Sequence, residues 1–452
     1  MTETIIIGRV LTSETAQSTR LENIALLVDT DGTIQERTPQ GTARYDALAA
    51  RKDAVWLPDD ALLIPGLTDL HIHAPQWPQA GMALDRPLED WLGTYTFPLE
   101  ASYADPAFAE DVYDDLVRTL LENGTTTALY FATIHEEASL VLARTCLHYG
   151  QRGFVGLVAM DHPDLCPPDY RQASAWEALD ATRRFIGAVR ALPGNEHGLV
   201  QPVITPRFIP ACSDALLEGL GTLAAEMDVR VQTHASESDW EHQHVLDRTG
   251  QTDTHALDRF GLLRDHTVLA HAGFLDQTDR TLVRARKAAL AHCPISNAFF
   301  AGAALPVRDV LDEHVHCGLG TDISGGYSPS IFENARQAVL TSRLLESGTN
   351  PHLPASERGL PKSRIDFQEA FWLATRGGAE ALGVSAGQLM PGQMFDAVEI
   401  LGTSGALRLH PKDDAATCAQ KIVCHASSQT IGRVWVNGRQ IKEKAPPHAD
   451  RH

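Results

Sequence analysis

The chain has 452 residues, which at roughly 100–200 residues per domain allows two to four ordinary domains or one barrel with a smaller companion. Hydrophobic residues make up 43% and charged residues 21%; this excludes a largely disordered chain, and no uninterrupted apolar run reaches the ~18 residues of a membrane-spanning helix. Lys and Arg number 38 against 58 Asp and Glu, a net charge of −20 that repels phosphate backbones and argues against a nucleic-acid partner, while a small neutral substrate meets no such barrier.

In chain order, Ile5–Leu11 and Ile24–Val28 read as strands, the second closed by the turn signal Asp29-Thr30-Asp31-Gly32. Leu62–Ile64 runs into Pro65-Gly66, a change of chain direction. From about 65 to 380, short apolar strands alternate with longer amphipathic stretches. The expected strands are Leu67–Ile72, Thr125–Ala132, Phe154–Met160, Leu199–Ile204, Val229–Thr233, Thr267–Ala270, Ala289–His292 and Cys317–Thr321, with helices such as Phe108–Leu121 and Trp176–Ala191 between them. About eight strand–helix repeats predict parallel strands closed into a (β/α)8 TIM-like barrel. A doubly wound sheet is the rival, but no Gly-x-Gly-x-x-Gly turn follows an early strand. The end of the chain returns to β signals, with a strand at Phe395–Ile400 and a hairpin at Val434–Ile441 around Asn437-Gly438. The expected fold is therefore α/β: a barrel over 65–384 and a small β-sandwich domain built from both termini, 1–64 and 385–452. Seven scattered cysteines without a CxxC pair suit a reducing, cytoplasmic setting rather than a disulfide framework or thiolate zinc site. Met1–Thr4 offers no cationic start to a secretory signal.

Histidine carries the chemical signal, with 20 in the chain. His71-Ile72-His73 ends a strand, so both imidazoles share one face, as two nitrogen ligands of one metal require. By itself, H-x-H is as compatible with two packed histidines. His234, His271 and Asp322 each follow an apolar strand as well. In a barrel the strand C-termini converge on one mouth, where three imidazoles and a carboxylate suit a borderline divalent cation such as zinc. His135 and His162 end strands without an evident role, and His292 is as readily a packed histidine. His242 and His244 read as a solvated helix face, Ser324–Tyr327 as a mouth loop, and His448 and His452 as tail residues.

Pro65–His73 resembles the opening of the metal-dependent amidohydrolase superfamily. His234-x-x-Glu237, His271 and Gly318-Leu319-Gly320-Thr321-Asp322 are similar to further positions of its deaminase branch. His73–Trp77, Trp91–Pro98, Asn123–His135, Thr205–Phe208 and His292–Asn297 resemble the guanine deaminases in particular; Pro75 departs from the small polar residue that relatives often carry. The resemblance spans about residues 5–441. It implies that His71, His73, His234 and Asp322 bind one metal ion, Zn2+ or another divalent cation such as Fe2+. It also implies metal-activated water as nucleophile, with Asp322 and Glu237 moving protons and His271 stabilising the attacking oxygen. The only lysine between His71 and Asp322 is Lys287, on a cationic helical stretch, which disfavours a lysine-bridged two-metal design. Gln76 brings a donor and an acceptor, Arg207 a fork of donors for a purine carbonyl, and Phe208 and Trp77 rings for its faces, beside His73, His234, Glu237 and Asp322. Deamination of guanine to xanthine and ammonia by a cytoplasmic homodimer is the expectation. The alternatives are deamination of another amino-purine, a pterin, cytosine or an s-triazine and, more distantly, a non-catalytic metal-binding or assembly role.

Overall fold

A computed structural model describes residues 3–442; His448, His452 and the end of the expected 385–452 segment lie outside them. Five strands come first: β1 Thr4–Thr15, β2 Ser18–Val28, β3 Ile34–Pro39, β4 Ala54–Trp56 and β5 Ala61–Pro65. Eight more follow: β6 Leu67–His73, β7 Thr125–Phe131, β8 Arg152–Ala159, β9 Val200–Pro206, β10 Arg230–Ala235, β11 Val268–His271, β12 Ala289–His292 and β13 His316–Leu319. The last are β14 Ala397–Leu401, β15 Ile431–Val436 and β16 Arg439–Lys442.

Strands β6 to β13 form one eight-stranded sheet in sequential order, with parallel pairing at every step. Parallel strands covered on both faces need apolar residues on both, and every residue of β6, β7 and β8 is buried. The seam between β13 and β6 is closed by the chain just beyond β13. There Asp322 N–H donates to His71 O at 2.8 Å, and His73 N–H donates to Ile323 O at 2.8 Å. Leu70, Leu129, Phe154, Val203, Val268 and Ala289 cluster inside, so the barrel is a packed core rather than a pore. Outside lie helices such as Pro106–Glu122, which starts at an Asp105 cap with Pro106 in the first turn. Its buried Val112, Tyr113, Leu116, Val117 and Leu120 recur at helical spacing and face the strands.

The terminal strands make one continuous mixed sheet in the order β16-β15-β14-β5-β1-β2-β3, with β4 added beside β1. Its apolar face gathers Ile6, Val10, Ile24, Leu26, Leu63, Phe395 and Trp435, contributed by both ends of the chain. The Asn437-Gly438 hairpin forms as the sequence predicts, with φ of 51° and 76° at the two positions. Asp396 stops short of β14 and bolts this sheet to the barrel. Its carboxylate accepts from Arg152 of β8 at 3.1–3.2 Å and from Asn437 N–H at 2.7 Å, with both charged side chains buried.

Candidate active site and metal centre

The C-terminal strand ends bring His71, His73, His234, His271 and Asp322 together, all buried. His73 Nε2 lies 2.9 Å from His234 Nε2. Asp322 Oδ1 lies 3.1 Å from His71 Nε2 and 3.6 Å from His73 Nε2. Four ligands about 2.0–2.2 Å from one tetrahedral ion stand a little over 3 Å apart, so these separations fit a shared cation. Two further observations fit the same ion. His71 Nε2 is close to Asp322 but makes no hydrogen bond there, remaining a buried nitrogen without a partner. His234 Nδ1 contacts Arg207 O at 2.6 Å, which places the proton on Nδ1 and leaves Nε2 with a lone pair directed at the centre. Burial holds all three imidazoles well below the ordinary histidine pKa, and hence neutral, as metal ligands must be. Lys287 is exposed in the turn before β12, at the other end of the barrel.

The backbone is bent to build this cluster. His271 at φ 70°, Asp322 at 48° and Ser236 at 51° all lie in the left-handed region, at about 1–3 kcal/mol each, where a strand end must turn sharply inward. Gly320 is required by close approach: a Cβ there would meet His71 Cβ and Cys293 Sγ at 2.8 Å. Asp69, two residues before His71, accepts from Thr321 N–H at 3.0 Å, Thr321 Oγ1 at 2.5 Å and His71 N–H at 3.2 Å, tying the ligand strand to the Asp322 loop. Burial pushes its carboxyl up to about 7.

Glu237 lines the cavity three residues beyond His234, with Oε1 3.6 Å from His271 Nε2. Burial and the neighbouring Asp322 carboxylate push its carboxyl up to about 8. His271 Nδ1 lies 2.9 Å from Asn297 Oδ1, which makes it the donor and leaves Nε2 bare, 3.9 Å from Asp322 Oδ2. The cluster therefore offers an acceptor, a carboxylate and a carboxyl that retains its proton to neutral pH.

The adjoining cavity, about 260 Å³, is lined by His73, Gln76, Arg207, Phe208, His234, Glu237 and Asp322, and walled by Trp91, Phe97, Trp240 and Phe300. Arg207 Nη1 and Nη2 donate to buried Glu100 at 2.6 and 3.3 Å, and its guanidinium lies 4.9 Å from the Phe97 ring centre. Glu100 also accepts from Gln76 Nε2 at 2.7 Å, while Gln76 Oε1 accepts from Ser324 N–H at 3.1 Å. Both recognition side chains are thus braced by one carboxylate. Of the residues expected to bind substrate, only Trp77 does not line the cavity. Ala74–Gln79 is a 3-10 turn with about three residues per turn, so buried Gln76 and Gln79 share a face. Trp77 is turned toward helix Pro106–Glu122, where its indole N–H donates to Asp115 Oδ2 at 2.8 Å. His242 is likewise not a freely solvated residue: it stacks on Phe274 with centroids 5.5 Å apart. Glu100, Asp69, Phe97 and Asn297 escape the reading of individual residues, although Asp69, Phe97 and Asn297 lie in segments singled out there.

A barrel with three neutral imidazoles and a carboxylate at its mouth, beside a carboxyl and a shaped slot, defines a metal-dependent hydrolase. Residues 62–441 match the amidohydrolase family, and the chain belongs to it. It is 39% identical over 386 residues to a probable guanine deaminase of Schizosaccharomyces pombe, covering 84% of this chain and 71% of that one. It is 37% identical over 388 residues to the guanine deaminase of Homo sapiens, covering 84% and 82%. The guanine deaminase from C. acetobutylicum with bound guanine in its active site superposes with a TM-score of 0.85 at 28% identity, covering 97% of this chain and 100% of that one. No helix among the described residues is long and apolar enough to cross a membrane.

Proposed function

We propose that this protein hydrolyses the exocyclic amino group of guanine, giving xanthine and ammonia. The observation that carries the reading is the slot itself. A buried Gln76–Glu100–Arg207 brace lies against the same cavity as Glu237 and Asp322, between aromatic walls. The guanine deaminases it resembles over most of its length support the same substrate.

His71, His73, His234 and Asp322 would hold one divalent cation, for which the imidazole-rich set suits zinc, and iron or another divalent ion is chemically compatible. When bound, such an ion supplies Lewis-acid activation of water near neutral pH. The side chains divide the remaining work. Arg207 donates to the purine carbonyl, and Gln76 fixes the ring edge with the amide hydrogen that Glu100 leaves free. Phe208 closes one side of the slot. His271 Nε2 accepts from the attacking water and orients it, and Asp322 takes up a proton from that water. Glu237 in its carboxyl form gives its proton to the ring nitrogen beside the carbon under attack; the proton taken up by Asp322 then passes to the amino group as the carbon–nitrogen bond breaks, and the added hydroxyl returns its proton to Glu237 as the new carbonyl forms; such transfers contribute about 10²–10⁴-fold. A homodimer in a reducing cytoplasm belongs to the same proposal, supported by the family resemblance and by seven cysteines that form no disulfide.

Ammonia release from guanine, adenine, a pterin, cytosine and an s-triazine, each with and without chelator and alongside metal analysis, tests this reading. Guanine should be fastest, activity should depend on about one metal per chain, and chelator should abolish it. A guanine rate far below that of another amine would refute the substrate assignment.

A further inference from the structure

A pair of buried carboxyls lies directly behind Glu237. Glu241, in the first turn of helix Asp239–Thr249, is 1% exposed and touches the cavity. Its Oε2 accepts the backbone N–H of Glu237 at 2.7 Å, while its own N–H donates to Ser238 Oγ at 3.2 Å. Glu241 therefore clasps the loop that carries Glu237 onto the start of a helix, in a variant of the capping box. Asp253, which opens helix Asp253–Arg259, is 0% exposed, and its Oδ2 accepts the hydroxyl of Ser236, the residue preceding Glu237, at 3.0 Å.

The two carboxyls hold adjacent residues of one loop, Glu241 the Glu237 N–H and Asp253 the Ser236 hydroxyl, and Asp253 is among the groups that raise the Glu241 carboxyl. Each keeps one buried oxygen, Glu241 Oε1 and Asp253 Oδ1, that has no donor among the described residues. Two ionised carboxylates touching out of water repel, whereas a carboxyl and a carboxylate sharing a proton attract and satisfy both oxygens at once. The surroundings fit a single negative charge. From its own helix, His242 places Nδ1 3.8 Å from Asp253 Oδ2, the one possible cation in ion-pair contact with the pair among the described residues. The β10 loop adds acidic Glu237, and helix Gln277–Ala285 adds Asp279, which accepts from Thr252 and faces His255. Burial and Asp253 together hold the Glu241 carboxyl well above the usual carboxylate range.

We propose that Glu241 and Asp253 share one proton and that Glu241 is a positioning residue, holding Glu237 at the cavity wall for its proton transfers. The catalytic half of this inference rests on the function proposed above; the shared proton does not.

Infrared difference spectra test the proton directly. Subtracting the Glu241→Gln spectrum from that of the unaltered protein at about pH 8 should reveal a protonated-carboxyl C=O band, because the glutamine still accepts the Glu237 N–H and offers an amide N–H in place of the shared proton. A difference that contains only carboxylate bands would overturn the shared proton. Kinetics test the positioning role. Glu241→Ala should lower kcat for guanine about 30-fold with KM within about twofold, and Glu241→Gln should restore kcat to within about threefold. Should Glu241→Ala fail to fold, Glu241→Met, similar in length but unable to accept the Glu237 N–H, should show the same loss. An unchanged kcat in either apolar variant, or a loss in Glu241→Gln equal to theirs, would overturn the positioning role. Absence of guanine turnover in the unaltered protein would refute the proposed function, while the infrared band would still decide the shared proton.

Discussion

At the scale of single residues, the site sorts its carboxyl groups by what each one touches. Asp322 faces imidazoles, Glu100 faces a guanidinium, and Glu237 faces the cavity with its carboxyl pushed up to about 8. Glu237 is the proton carrier in this reading and stands outside the proposed ligand set. Glu237→Gln should therefore lower kcat by about 10²–10⁴-fold while metal analysis still finds about one ion per chain. A variant with full activity would remove Glu237 from the mechanism. Arg207 is more demanding to test. Its partner Glu100 is 0% exposed, so Arg207→Ala strands a buried charge and should cost about 3–5 kcal/mol of stability in addition to its effect on guanine binding. The double variant Arg207→Met with Glu100→Gln removes both charges. Its melting temperature should recover toward that of the unaltered protein while KM for guanine stays high. Recovery of both would mean that the pair serves packing alone.

At the scale of elements, the strand ends and their convergence on one barrel mouth were legible in the sequence, and the contacts that lock them together were not. Apolar runs stopping at His71, His234, His271 and Asp322 are local patterns, visible because strands buried on both faces must be apolar. The seam that sets His71 against Asp322 joins residues some 250 positions apart through hydrogen bonds of Asp69 and of the backbone, and no local pattern encodes it. Gly318-Leu319-Gly320 reads in sequence as a motif, whereas in the fold Gly320 is the point where the β13 end passes against His71. Gly320→Ala should overpack that seam, costing about 1–3 kcal/mol and lowering metal content below one per chain. Normal metal content in a thermally unaltered variant would show that the contact relaxes freely. Trp77 marks the converse limit. Residue type suggested a ring over the substrate, and the 3-10 turn rotates it onto Asp115.

At the scale of the whole molecule, metal, protons and stability are linked. In chelator-treated protein, Glu237 stays protonated to about pH 8 and Asp69 to about pH 7, whereas in the unfolded chain both ionise near pH 4. At pH 7 roughly a quarter of the imidazoles in the unfolded chain still carry a proton, but from about pH 7.5 upward nearly all are neutral, as the buried ones are, so they contribute little slope there. The folded state then binds more protons than the unfolded one, and stability must fall as pH rises through this window. The metal-free melting temperature should decline from about pH 7.5 to 8.5, at up to about 1.4 kcal/mol per pH unit and mainly through Glu237, and less steeply in Glu237→Gln. A melting temperature that rises over the same range would contradict the raised carboxyl.

The sequence by itself determined the alternation of strands and helices, the β-rich ends, the imidazole pair on one strand and the His-x-x-Glu step. These depend on side-chain periodicity and short spacing, which neighbouring residues specify. The tertiary structure alone decided that Glu100 braces Arg207 and Gln76, that Asp396 bolts the terminal sheet to the barrel, and that Glu241 meets Asp253 behind the proton carrier. In each case a charge that would be ordinary in water is stable only with its partner, and burial, which chain closure creates, decides which partner it meets.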